Sequence, residues 1–204
     1  MAFTHPARFT VDVPDCELVD LRERLERFRA VDDFANDDWS YGFNGRYLSE
    51  LREHWLSVYA WRQHERAINA WPQFQTVIDG VPVHFIHARG KGDNPAPLIL
   101  TGGWPWTFWD FQRVIGPLVD PVAYGGDASD AFDVVVPSLP GFGFSSPLKT
   151  AGMNYWVAAD VWVRLMTEVL GYDRFAAHGA DIGAVLTAQL GHKYAERLIG
   201  IHVC

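Results

Sequence analysis

The chain has 204 residues, 49% of them apolar and 21% charged, and its 14% aromatic content includes nine Trp, so intrinsic disorder is excluded and one large domain, or a domain plus an appendage, is expected. A formal net charge of −8 excludes a basic nucleic-acid footprint. The two cysteines, Cys16 and Cys204, exclude a disulfide scaffold and a Cys-based zinc site, and apolar runs as short as Val134-Val135-Val136 fall far below the roughly 20 residues of a membrane helix. The N-terminus has no apolar signal core, so a cytoplasmic protein is expected.

The first third reads as helical. Val13-Pro14-Asp15 offers Asp15 as an N-cap, and Leu18, Leu21, Leu25 and Phe28 then form one apolar stripe. Residues 32–44, rich in Asp, Asn and Gly, read as loop. A second helix is predicted over about 46–69, stopped by Pro72. After Pro72 the character changes. Two strands around Asp79-Gly80 form a hairpin signal over residues 75–87, and 97–100 is a short buried strand. Helices follow at about 108–119, 155–170 and 182–194, alternating with strands at 133–136, 174–178 and 198–203. That alternation implies an α/β fold with a parallel, doubly covered sheet. No helix follows the last strand, so an exposed edge, an uncovered apolar face and poor solubility are expected.

The sharpest chemical motif is Gly179-Ala180-Asp181-Ile182-Gly183, which follows a strand and opens a helix. It has the form small-x-nucleophile-x-small, with Asp where a serine enzyme has Ser. Small flanks are needed because strand and helix approach closely in so tight a turn, and the helix N-terminus favours an anionic Asp181. An Asp that merely caps the following helix fits the same residues. The second motif, Thr101-Gly102-Gly103-Trp104-Pro105-Trp106-Thr107, has two glycines that let backbone approach a ligand. A backbone N–H from this loop, with that of Ile182, suits an oxyanion hole. A plain Gly/Pro turn is the competing reading. The third, residues 137–145, is a strand-end loop whose Ser138 and Ser145 lack a nucleophile setting.

No metal site is expected. His84 and His87 lie three apart in a strand and face opposite ways, so they are poor joint ligands. His178 precedes the elbow, whereas a general base is needed at the end of another strand. Arg62 and Glu65, one helical turn apart, read as a structural ion pair.

Together these motifs resemble the α/β-hydrolase-fold epoxide hydrolases of the microsomal type. The resemblance extends to Asp38-Trp39-x-Tyr41-Gly42, Tyr59-x-Trp61-Arg62-x-x-Glu65, Phe74-x-Thr76-x-Ile78-Asp79-Gly80, His84-Phe85-Ile86-His87, Gly103-Trp104-Pro105, residues 137–145, and the elbow through Gly200-Ile201-His202. It covers essentially the whole chain. It implies a helical N-terminal region over residues 1–72 and the N-terminal half of an α/β-hydrolase core over 73–204. Asp181 then matches the nucleophile, and Trp104 and Ile182 match the backbone donors of the oxyanion hole. Trp104-Pro105 matches a peptide bond that is cis in the family. The implied reaction opens a small-molecule epoxide to a vicinal diol through an Asp181 ester, as in epoxide metabolism and detoxification, with no cofactor. Trp106, Phe108 and Trp109 are candidates for an aromatic substrate wall.

The family usually has His where this chain has Gly102, often Gly at Trp106, and commonly Trp at Ile182. Its cap tyrosines, acidic partner and catalytic His follow the elbow strand, beyond Cys204. The 204 residues alone are therefore expected not to turn over. Two alternatives remain. A haloalkane dehalogenase also uses an Asp nucleophile, although the long helical N-terminal region argues against it. A non-catalytic fragment would form no diol. Oligomeric state is not readable.

Overall fold

The structure, a computed structural model, describes residues 3–204. Residues 11–68 form one compact unit, and the other described residues form a second.

The smaller unit holds α1 (Asp15–Glu26), α2 (Gly45–Ser57) and α3 (Trp61–Asn69). Asp15 is not the N-cap. Pro14 occupies that position and no side chain caps the helix; Asp15 is the first helical residue, and its carboxylate is drawn to Arg62 at 2.5 Å. The single helix expected over 46–69 is two. The N–H groups of Val58 and Tyr59 both donate to the His54 carbonyl, which ends α2, and the Tyr59 ring stacks on His64 at 4.8 Å. Arg62 and Glu65 pair at 2.6 Å as expected of a structural ion pair. Glu65 also accepts from the Val13 N–H at 2.8 Å and the Trp61 indole at 3.1 Å, and these partners, Val13 first, hold its carboxyl below the usual range. One buried carboxylate thus ties the strand of chain before α1 to α3.

The larger unit contains β1 (Ala7–Phe9), β2 (Gln73–Ile78), β3 (Val81–Ala88), β4 (Ala96–Thr101), α4 (Gln112–Val119), β5 (Phe132–Pro137), α5 (Tyr155–Arg164), β6 (Phe175–Gly179), α6 (Ile182–Lys193) and β7 (Leu198–Val203). They build a sheet in the order β1-β2-β3-β5-β4-β6-β7. The β5-β4-β6-β7 half is parallel, as the alternation with helices requires. The β1-β2-β3-β5 half is antiparallel, because tight hairpin chemistry precedes the first crossover. Asp79 and Gly80 both take positive φ, 47° and 81°, which matches the hairpin twist. The three-residue β1 carries too short a pattern to be seen in the sequence.

Helices α5 and α6 cover one face, where Trp162, Phe85, Phe175, Ile99 and Leu186 form the core. Trp162 donates its indole N–H to Thr101 Oγ1 at 3.0 Å. On the other face α4 buries Ile115 and Val119. Beside β6 and β7 that face opens into an apolar trough of about 610 Å³. Strand β7 exposes Ile199, Ile201 and Val203.

The parallel strands end together at one sheet edge, and the connections from β4 to β5 and from β5 to β6 run to opposite sides of β4. Ligand sites of open α/β sheets form at such a switch point. A buried pin sits under that edge. His84, fully buried in β3, lies 3.0 Å from Gln73 Oε1 and 2.9 Å from Ser138 Oγ. The amide oxygen can only accept, so His84 Nε2–H donates to it and Nδ1 accepts from Ser138. Ser145 accepts from the His84 N–H and donates to the Ser138 carbonyl. The loop after β5 is thereby fixed to β3.

Burial pushes the His84 pKa down to about 3, and burial with the nearby Arg89 charge pushes His87 down to about 4. An unfolded chain protonates both rings near 6.5, so below that pH the unfolded state binds more protons and stability falls. Urea unfolding from pH 7 to pH 5, above the carboxylate range, is expected to show stability falling as the pH is lowered. His84→Gln, which stays neutral, is expected to flatten that slope.

Candidate active site

The elbow is built by exclusion. A Cβ on Gly179 would run into the Gly183 carbonyl, and a Cβ on Gly183 would run into the Thr101 carbonyl. Only with both positions bare do β4, β6 and α6 come this close, and the Ala180 N–H then donates to the Thr101 carbonyl at 3.2 Å. Between them Asp181 is forced to φ 53° and ψ −121°, a conformation that costs a non-glycine residue about 1–3 kcal/mol. Its side chain makes no capping hydrogen bond to α6. Asp181 thus occupies the N-cap position of α6 without the usual side-chain cap.

The carboxylate turns instead toward the loop after β4. The Trp104 N–H donates to Asp181 Oδ1 at 3.1 Å. The Ile182 and Trp104 backbone N–H groups, Ile182 first, hold the Asp181 carboxyl below the usual aspartate range. So Trp104, 77 residues away in sequence, meets the neighbours Asp181 and Ile182 at one carboxylate. Gly103 permits this contact, since a Cβ there would overlap the Asp181 side chain. The Trp104-Pro105 peptide bond is cis. Thr107 closes the loop with a reciprocal cap, its hydroxyl accepting from Trp109 N–H while Asp110 accepts from the Thr107 N–H.

The aromatic candidates separate. Trp106 is exposed and, with Phe108, lines a narrow cleft against Pro137, Leu139 and Phe142. Phe108 is otherwise buried and packs edge-on to His84 at 4.8 Å. Trp109 is half-buried and is not a wall of that cleft.

Comparison with known proteins bears on the whole chain. The "Epoxide hydrolase N terminus" family matches residues 6–111, and the "alpha/beta hydrolase fold" family matches 96–203. The chain belongs to the epoxide hydrolase family. A Stigmatella aurantiaca protein that carries an epoxide hydrolase name is 42% identical over 195 residues, and Epoxide hydrolase 1 of Sus scrofa is 33% identical over 199. Each alignment covers 96% of this chain but 44% of the relative, so the chain spans less than half the length of these family members. The solved Aspergillus niger epoxide hydrolase superposes with a TM-score of 0.86 at 29% identity, over 98% of this chain and 52% of that one. Among the described residues, no helix is long and apolar enough to cross a membrane.

Within this family frame Gly102 stands out, since the resemblance places a His there. A Cβ at 102 would meet only Phe111 at 3.6 Å and the Thr107 carbonyl at 3.8 Å, which is ordinary contact. The loop holds its form through Gly103, Thr107 and Asp110 instead. The His84–Ser138–Ser145 pin was missed in the sequence. Its one signal was two serines spaced inside a Gly-rich strand-end loop.

These spaces predict opposite outcomes for two glycines. Gly102→Ala is expected to stay within about 0.5 kcal/mol of the parent in urea unfolding. Gly183→Ala lies in a helix, where alanine normally gains, yet it is expected to lose about 1–3 kcal/mol to overpacking against Thr101. Equal effects would contradict the close approach.

Proposed function

We propose that this chain carries the nucleophilic half of an epoxide hydrolase, with Asp181 as the nucleophile and the backbone N–H groups of Trp104 and Ile182 as the oxyanion hole. One observation carries the reading: the Trp104 N–H already touches Asp181 Oδ1 at 3.1 Å. In an Asp-ester mechanism the carbonyl that water attacks is the Asp side chain itself. Negative charge in the tetrahedral intermediate then develops on an Asp181 oxygen, and donors must be aimed at that atom beforehand.

In the first step the free carboxylate oxygen attacks an epoxide carbon from behind. The carbon–oxygen ring bond breaks, an alkyl ester forms at Asp181, and the alkoxide takes a proton. The low pKa of Asp181 keeps it anionic for this attack. In the second step water adds to Asp181 Cγ, the oxyanion is held by the two N–H groups, and collapse releases the vicinal diol and the free carboxylate. Only water is consumed, and the scheme draws on no cofactor. Trp106 and Phe108 provide an apolar wall for a substituent on the epoxide, and Trp109 packs against Phe108 with ring centroids 6.4 Å apart.

The division of labour follows from what surrounds Asp181. Among the described residues, no histidine ring is hydrogen-bonded to its carboxylate, so the second step lacks a base here. A positioned acid or base contributes about 10²–10⁴-fold each. The groups that form the ester, Asp181 with the Trp104 and Ile182 N–H donors, all lie in the half-core over 73–204, and the base and proton donor are not among them.

Incubation with excess styrene oxide, followed by intact-mass and peptide mass spectrometry, tests this. A slow addition of one epoxide mass at Asp181 is expected, absent in Asp181→Asn, with no catalytic diol release. An adduct confined to other residues, or sustained diol formation by Asp181→Asn, would contradict the assignment.

A further inference from the structure

The register of the parallel pair β6–β7 sets His178 directly opposite His202. Residues paired in this way project to the same face of the sheet, so the two imidazoles lie side by side. Their Nδ1 atoms are 2.8 Å apart, with ring centroids at 4.9 Å and planes inclined by 23°. One Nδ1–H donates to the other Nδ1, so two nitrogens share a single proton. The Phe111 ring stands edge-on to His178 at 5.9 Å and 87°, which fixes that ring. His178 is half-buried and His202 is exposed, so one ring is held and the other has room to turn.

We propose that His178 and His202 form a chelating site for a divalent transition-metal ion of the imidazole-binding class, with Ni²⁺ and Cu²⁺ fitting better than Zn²⁺. Metal–nitrogen bonds of about 2.0–2.1 Å place two ligands roughly 2.9 Å apart at a right angle and roughly 3.4 Å apart at a tetrahedral angle. The observed 2.8 Å matches the right-angled geometry of square-planar or octahedral ions. On binding, the ion takes the place of the shared proton: the donor ring gives up its Nδ1 proton and takes one from solvent at Nε2, so both imidazoles stay neutral and both Nδ1 atoms become ligands. Among the described residues there is no group of three His, Cys, Asp or Glu side chains able to hold a metal. The two histidines are therefore the protein ligands that the described residues supply, and water completes the coordination in the 204-residue chain. The groups engaged with the Asp181 carboxylate are the Trp104 and Ile182 N–H groups and neither histidine, so the site stands apart from the proposed ester chemistry. Because its ligands lie on two strands, the bound ion would staple exposed β7 to β6, the strand that leads into the elbow.

The histidines are 24 residues apart, and only the β6–β7 register brings them together. That is why no sequence spacing announces the pair. The test uses the 204-residue chain with Ni²⁺ alone in calorimetry and thermal unfolding. One equivalent is expected to bind and raise the melting temperature, since the ion favours the folded state. His178→Gln and His202→Gln are each expected to weaken binding at least tenfold, and His192→Gln, on exposed α6 surface, to leave it unchanged. Electron paramagnetic resonance of the Cu²⁺ form of the unsubstituted chain is expected to show two equatorial nitrogens, a readout that needs no variant to fold. No binding, binding that survives both substitutions, or a spectrum with fewer than two nitrogens would overturn the site.

Discussion

The site depends on a close approach of backbone to backbone. The first turn of α6 lies against the end of β4 because Gly179 and Gly183 carry no side chains, and a methyl group at either would strike a carbonyl oxygen. That packing leaves Asp181 no room for an ordinary conformation. It takes a left-handed φ, and its carboxylate, which makes no side-chain cap on α6, meets the Trp104 N–H. A local strain is thus sustained by the surrounding strands and helix, and it aims a charged group at two backbone donors.

The larger architecture brings those donors within reach. Since β4 lies between β5 and β6, and all three are parallel, the loops that follow them gather at one edge. Each loop is held differently. The loop after β4 is held by Gly103 against Asp181 and by the Thr107–Asp110 cap. The loop after β5 is held by buried, neutral His84 through Ser138 and Ser145. The elbow is held by Thr101, whose carbonyl accepts from Ala180 and whose hydroxyl accepts from Trp162 in the core. Core packing and site geometry therefore share a residue.

Much of this was legible in the sequence. The hairpin at Asp79-Gly80 and the strand Leu198–Val203 fall where turn chemistry and alternation put them. Asp181, Trp104 and Ile182 were singled out from small residues around an Asp, after a strand and before a helix, and from a resemblance; the structure adds the contact between them. The errors share a cause. Asp15 has the composition of a cap, but Arg62, 47 residues away, competes for its carboxylate. The break at Val58 and Tyr59 has no Gly or Pro to mark it. The His178–His202 pair depends on strand register. Each is a tertiary relation that local spacing does not contain.

The most direct measurement of the central claim is an NMR pH titration of the Asp181 side-chain carboxyl carbon. Backbone donors aimed at this carboxylate predict a midpoint below the ordinary aspartate value of 3.8 and an Asp181 that is anionic throughout the neutral range. A midpoint at or above 3.8 would mean that the Trp104 and Ile182 N–H groups do not engage the carboxylate, and the elbow would then be a tight turn without a preorganised nucleophile.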